Sequence, residues 1–459
     1  MNSSRREFFK RSTLFGAAVS LPHVWAEAKS TPAKDSDQPT VAAIGVGGSR
    51  GAYSQGGADA QRAAAFGRLI AVCDVDVVHC GEFNAKFDHK LAMYDDYRKM
   101  FEREKPDIVT IGTPDHWHVP IAIAALHAGC DVYCEKPLTL TIAEGFQIRK
   151  AVKDTKKVFQ VGTQQRSENE NRFLKAIAIV KSGRLGKKVN AHAAIGGAPV
   201  GGPFETTKPV EGLNWDMWVG PAQQADYSKE RRKEFRWFFD YSGGKMTDWG
   251  AHHIDIAQWA LGFDHSGPVK VGGTGAFPPS IPEKFDWAAY FDGKAKLPNS
   301  YETPTEFNLN LEYANGSVLN VVNEYKSEDG KTNFPNGILF EGEDGRIFVN
   351  REKLTGKPIE DMTKDEQHKL DEEVVKLYGG QPGNHMKNFF DCVKSRKTPI
   401  SDVETHHRTM TSCHLCNIAL MLGHDLKWDP KKETFEGDEQ ATALMTRPRR
   451  DKYSWKATT

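Results

Sequence analysis

No stretch of the chain stays apolar for the roughly 20 residues that a bilayer-spanning helix needs, so no integral membrane segment is expected once a leader is removed. Charge of one sign is lacking too. Lysine plus arginine and aspartate plus glutamate each number 61, a formal net charge of zero, which leaves no electrostatic footprint for nucleic acid. Cysteine is scarce and odd in number, seven in 459 residues. Cys73, Cys130 and Cys134 fall in or beside apolar runs of strand character and read as core thiols. Cys413-His414-Leu415-Cys416 has no second pair to complete a metal or redox site and sits inside a helix-like run, residues 403–422, so it too reads as packing.

What is present begins with an address. Arg5-Arg6, a modestly apolar run from Leu14 to Leu21 and the small-residue site Ala26-Glu27-Ala28 form a Tat-type signal over residues 1–28. A polar, proline-flanked leader follows over 29–39. The expectation is export, to the periplasm or its equivalent, of a protein that folds before it crosses the membrane.

The remaining length is enough for two domains. The apolar run Val41-Ala42-Ala43-Ile44 leads into Gly45-Val46-Gly47-Gly48-Ser49-Arg50-Gly51, and a second run, 68–73, ends at Asp74. Gly45, Gly47, Gly48 and Arg50 are candidate contacts to a dinucleotide pyrophosphate, which a glycine turn and a helix N-terminus attract. The third glycine falls one position late for Gly-x-Gly-x-x-Gly, and Gly56-Gly57 interrupts the expected helix. Asp74 is placed to accept hydrogen bonds from a ribose diol and to repel a 2′-phosphate, which favours NAD over NADP.

Strand-like Ile108–Ile111, the turn Gly112-Thr113-Pro114-Asp115-His116-Trp117-His118, a helix-like run and strand-like 131–134 then lead to Glu135-Lys136-Pro137. Ligands of open α/β sheets gather outside the carboxyl ends of the strands. Thr113, Pro114, His116, His118, Glu135 and Lys136 are therefore candidate cofactor contacts, with Lys136 also facing substrate. One of the two histidines is as readily a cap for the following helix. The expected first domain is a Rossmann NAD(P)-binding unit over 40–160.

After residue 160 the pattern changes. Phe307–Tyr313 alternates, Asn315-Gly316 supplies a tight turn, and further strand pairs flank Asp344-Gly345. The expectation is an α+β substrate and oligomerisation domain over 161–430 with a large, mostly antiparallel sheet, then a polar tail over 431–459. Residues 272–304 read as a long loop. Asp248 and His252 stand four apart, the spacing at which a helix lets a carboxylate orient an imidazole. Asp255 returns to the same side as a candidate contact to a second substrate hydroxyl, and His253 is a further candidate. Zinc suits this residue set by type, but the flanking glycines and the nucleotide half supply a competing account, and no metal is expected. Gln164, Gln165 and Arg166 are candidate polar substrate contacts, and Trp237, in an aromatic-rich stretch, is a candidate stacking surface for a sugar.

Taken together, Gly112-Thr113-Pro114, Glu135-Lys136-Pro137, Gly162-Thr163-Gln164-Gln165-Arg166 and the run Gly243 to Asp255 resemble the Gfo/Idh/MocA oxidoreductases. That resemblance implies an NAD(P)-dependent enzyme acting on a sugar or cyclic polyol, with Lys136, Asp248 and His252 at the reacting hydroxyl, and a homo-oligomer. Two alternatives stand beside sugar dehydrogenation: an NAD-dependent glycoside hydrolase with transient redox chemistry, and a sugar-binding relative without catalysis.

Overall fold

Val41, Ala42, Ala43 and Ile44 are almost wholly buried, as an apolar run flanked by strands on both sides must be. They belong to strand β1 (Thr40–Ile44) of a computed structural model that describes residues 38–48, 50 and 53–453. The twin-arginine segment, most of the leader and the last six residues lie outside the described residues. Five helices alternate with the remaining strands: α1 (Gln55–Ala63), β2 (Arg68–Cys73), α2 (Val77–Ala85), β3 (Ala92–Tyr94), α3 (Tyr97–Glu104), β4 (Ile108–Ile111), α4 (His118–His127), β5 (Asp131–Cys134), α5 (Ile142–Thr155) and β6 (Phe159–Val161). The sheet order is β3-β2-β1-β4-β5-β6 with every pair parallel, the doubly wound order of dinucleotide-binding folds.

The first helix corrects the sequence reading. Gly56 and Gly57 do not interrupt it; they form its first turn, capped by Ser54, whose side chain accepts from Gly57 N at 3.0 Å. A Cβ on Gly56 would stand 2.0 Å from the Gly45 carbonyl oxygen and 2.9 Å from Gly112 Cα. Gly56 thus supplies the close helix-to-strand approach that the third glycine of the fingerprint normally provides.

The second sheet collects β7 (Val189–Ala194), β8 (Lys270–Ala276), β9 (Glu306–Glu312) and β10 (Val318–Val322). A separate short pair, β11 (Tyr325–Lys326) and β12 (Asn333–Phe334), precedes β13 (Gly337–Gly342), β14 (Gly345–Val349), β15 (Leu354–Thr355), β16 (Leu426–Asp429) and β17 (Thr434–Phe435). Its order is β15-β14-β13-β7-β10-β9-β8-β16-β17, antiparallel except where β7 meets β10. Along β9, exposed and buried residues alternate strictly, so one face is wet and the other meets the core. That core face carries α6 (Arg172–Lys181), α7 (Gly250–Ala260) and α8 (Val403–Leu422), the last of which also packs on α5 of the first domain.

Two expectations are corrected here. Residues 272–304 are not one loop. Their start belongs to β8, which pairs along the whole of β9, and Trp287–Phe291 is a short helix. Residues 431–453, the described part of the expected tail, carry structure as well. They supply β17 and a short helix, Glu439–Ala443, while Ala441 and Leu444 enter the core and Arg450 pairs with Asp216 at 2.6 Å. All seven cysteines are buried and free.

Candidate active site

A single cavity of about 540 Å³ runs from Gly45, Gly47 and Gly48 at one end to Lys136 and His252 at the other. This is the size of an ordinary small-molecule or cofactor site. Gly45 holds φ at 78°, and a Cβ there would come 2.7 Å from Thr113 N, so only glycine lets the β1 and β4 turns meet. Gln55, at the start of α1, lies on the wall, which turns the positive end of that helix toward the crevice. The residues present therefore fit a dinucleotide: the glycine turn would hold its pyrophosphate, and Lys136 would stand toward its nicotinamide end.

Asp74 lines the cavity, and its carboxylate also holds the turn: Oδ2 accepts from Val46 N at 3.1 Å and Gly47 N at 3.2 Å, and Oδ1 from Asp76 N at 3.0 Å. Arg50 pairs with Asp76 at 3.0 Å. Thr113 and Pro114 stand on the wall between the two ends.

At the far end, Lys136 Nζ donates to Asp248 Oδ1 at 2.6 Å and to the Asp248 carbonyl at 3.1 Å. The expected carboxylate-to-imidazole pair does not form. The helical run is broken at Trp249, between a five-residue helix ending at Asp248 and α7 beginning at Gly250. Asp248 instead faces Lys136 and Arg236, the latter at 3.4 Å. Burial works to raise its pKa, but the two cations outweigh this and hold the carboxyl well below the usual carboxylate range.

His252 lies on the cavity wall, and its Nδ1 is sealed off without a hydrogen-bond partner, which leaves Nε2 as the nitrogen able to meet a ligand. Burial, with the charges of Lys136 and Arg351 added, holds its pKa well below the ordinary histidine value. The ring is a neutral proton acceptor at physiological pH.

Glu135 also lines the cavity; it accepts from Gln164 Nε2 at 2.8 Å and from Lys136 N at 3.3 Å. Gln165 does not reach the cavity. With its amide oriented to suit its neighbours, it donates to the His252 carbonyl at 3.3 Å and accepts from Arg351 Nε at 3.2 Å.

Several sequence candidates sit elsewhere. Arg166 and Asp255 form a bidentate pair at 2.6 and 2.7 Å, both almost wholly buried, with the Thr409 hydroxyl also donating to Asp255 and Trp259 beneath the guanidinium. They brace α7 and offer nothing to a sugar. His253 faces the sheet side, bonded to Asn336 at 3.0 Å. Trp237 packs in a neighbouring aromatic cluster under Lys245, and Phe235 and Trp249 line the cavity in its place. His116 turns away from the cavity toward the Trp218 carbonyl at 2.9 Å, and burial pushes its pKa down to about 3. His118 reaches the wall, yet its nitrogens are held by the Pro137 and Thr113 carbonyls at 2.7 and 2.8 Å, so it ties the lysine loop to the β4 turn.

Arg351, Arg236 and Trp249 were not found from the sequence. Arg351 comes from the β14–β15 hairpin and stacks on Trp249 at 4.8 Å, a position no local motif announces. No group of three or more His, Cys, Asp or Glu among the described residues is arranged to hold a metal ion.

The family description "Oxidoreductase family, NAD-binding Rossmann fold" matches residues 40–163, and "Oxidoreductase family, C-terminal alpha/beta domain" matches 203–276 and 310–455. D-glucoside 3-dehydrogenase of Escherichia coli is 26% identical over 203 residues, covering 42% of this chain and 47% of that protein. Alpha-N-acetylgalactosaminidase of Shewanella oneidensis is 34% identical over 101 residues, 21% of each chain. The chain thus matches about half or less of the length of these curated relatives. Among solved structures, the WlbA dehydrogenase of Bordetella pertussis, in complex with NADH and UDP-GlcNAcA, superposes with a TM-score of 0.58 at 16% identity, covering 85% of this chain and 98% of that one. With the parallel six-stranded sheet, the glycine turn and both family descriptions in agreement, the chain belongs to the Gfo/Idh/MocA oxidoreductases and carries their NAD-binding Rossmann domain.

Proposed function

We propose that the protein is an exported oxidoreductase that moves hydride between a secondary hydroxyl of a sugar, glycoside or polyol and tightly retained NAD. The observation that carries this reading is the meeting of Lys136, from the end of β5, and His252, from α7, at one end of a cavity whose other end is the glycine turn. Bound NAD supplies the hydride acceptor. Lys136, positioned by its contact with Asp248, donates a hydrogen bond to the substrate oxygen and stabilises the charge that develops there. His252 Nε2 takes the hydroxyl proton as the O–H bond breaks and the carbonyl forms. Arg351 and Trp249 offer a cation and an aromatic face to the rest of the molecule.

Export rests on Arg5-Arg6 and the cleavage-like Ala26-Glu27-Ala28. A homo-oligomer rests on the wet face of the second sheet, where Asn320 bonds Asn308 at 2.7 Å and Asn310 at 3.0 Å in a polar ladder open to a second copy.

The similarity to an alpha-N-acetylgalactosaminidase favours one second reading. In it, transient oxidation of a ring hydroxyl acidifies the neighbouring C–H, the glycosidic oxygen leaves, water adds and the hydride returns. A binding-only role leaves Lys136 and His252 without a purpose. Incubation with a glycoside panel separates the three: keto-sugar alone marks a dehydrogenase, aglycone without net redox a hydrolase, neither a binder. Lys136→Ala and His252→Ala are each expected to lower turnover on the order of 10²- to 10⁴-fold with NAD still bound. Unchanged rates in either variant would refute the assignment.

A further inference from the structure

A segment of the second domain closes over the end of the cavity that lies beyond Asp74. Asn214 N donates to the Val75 carbonyl and Val77 N to the Gly212 carbonyl, both at 2.9 Å, so residues 212–214 pair with the backbone that follows β2. In dinucleotide-binding sheets the adenosine half lies beside that same post-β2 segment. Here the walls of the slot come from both domains: Val75 and Tyr97 from the first, Leu213 and Met217 from the second.

The closure is fastened by charge. Asp76, only 1% exposed, accepts from Arg50 Nε and Nη2 at 3.0 Å each on the glycine-turn side, and from Arg232 Nη2 at 2.6 Å on the second-domain side. Arg50 reaches on to the Glu211 carbonyl, and His79 Nε2 meets Arg232 at 3.2 Å. A buried carboxylate between two guanidiniums is costly to separate, because opening leaves an unpaired charge in a poorly solvated site. The aromatic packing of Trp215 on Trp218 at 4.6 Å, immediately after the segment, stiffens it further.

We propose that Asp76, Arg50 and Arg232 form a latch that traps the adenosine half of NAD under residues 212–217. The cofactor is then a resident group that stays through many turnovers. This rests on the NAD-dependent reading above and extends it. A resident cofactor needs each hydride removed from one substrate to be returned to the same or another one.

The test uses the full chain, loaded with NAD during expression, and follows exchange of bound NAD for isotopically labelled NAD by filtration and mass spectrometry. Wild-type protein is expected to hold its NAD through repeated buffer exchange. Arg232→Ala is expected to speed exchange on the order of tenfold to hundredfold, the loss of one charge-assisted hydrogen-bonded contact, and Arg232→Lys to recover part of it. Leu213→Ala, which opens the slot without touching charge, is expected to speed exchange as well and stands in if Arg232→Ala fails to fold. Wild-type exchange complete within seconds, or release unchanged in both the Arg232 and Leu213 variants, overturns the latch while leaving the NAD reading intact. A folded wild-type chain that takes up no NAD overturns both.

Discussion

Asp59 lies near enough to Glu135 to feel its charge, and 1% and 5% of their surfaces are exposed. Asp59 Oδ1 accepts from Gln55 and Arg62 at 3.0 Å each, whereas Oδ2 is sealed with no donor. A proton on Asp59 would turn that orphaned acceptor into a donor. Burial first, then the charge of Glu135, raise the Asp59 pKa well above the usual range. A carboxyl raised in this way binds its proton more tightly folded than unfolded, so its stabilisation is complete at low pH and is lost as pH rises through the folded value. Asp59→Asn places a permanent N–H donor against Glu135. It should melt with wild type at pH 5 and be more stable at pH 8, by about 1.5–3 kcal/mol. A variant equal to or weaker than wild type at pH 8 would show that Asp59 is not raised in the fold. Asp255→Ala asks the opposite question of a buried pair. Stripping Arg166 of its carboxylate should cost about 3–5 kcal/mol of stability, read by denaturant unfolding, because the guanidinium stays buried and unpaired. If Asp255 instead held a sugar hydroxyl, KM would rise while stability stayed put.

The contact between α1 and the β1 and β4 turns decides whether the phosphate end exists. Gly56→Ala forces a methyl to within 2.0 Å of the Gly45 carbonyl, so α1 must move off the sheet. NAD binding, measured by calorimetry, should fall at least tenfold while the second domain keeps its fold; unchanged affinity would show that α1 does not shape the site. Such close approaches are only half legible in a sequence. The alternation of apolar runs and helical segments from Val41 to Val161 announced the parallel sheet, because strands buried on both faces must be apolar throughout. Lys136 was legible for the same reason, standing at the end of a buried strand. Gly56 was misread because the turn before it is longer than the usual fingerprint, and a glycine pair looks like a helix breaker until its neighbours are known. The spacing of Asp248 and His252 predicts a carboxylate facing the imidazole, but Lys136 and Arg236, brought in from outside the helix, claim that carboxylate instead. Arg351 and Arg232 arrive from distant hairpin and loop positions, where sequence distance carries no trace of spatial contact.

At the scale of the whole molecule, the interior holds an unusual set of titratable rings. Burial pushes the pKa of His116, His406 and His414 down to about 3 and of His253 and His385 down to about 4. Each stays neutral in the folded chain at a pH where the unfolded chain takes up a proton near 6.5. Two acids act in the other direction: burial raises Asp115 and Glu302 to about 7, so near pH 5 the folded state holds protons there that the unfolded state lacks. His252 joins these rings and Asp59 joins these acids, and the rings stay in the majority, so the unfolded chain holds the excess of protons at pH 5 and stability must fall as pH drops below 6.5. At full effect each excess proton corresponds to about 1.4 kcal/mol per pH unit, a sizeable share of the stability of an ordinary domain. The expected result is a melting temperature that holds near neutral pH and falls steeply between pH 6 and pH 4. A melting temperature flat across that range would mean that the histidines charge in place, and that the interior described by these side chains admits water. Replacing one of them discriminates further: His414→Gln keeps a hydrogen-bond partner for Thr139, now at 3.0 Å, and removes one titration, so the acid limb should become measurably shallower while the neutral plateau changes little.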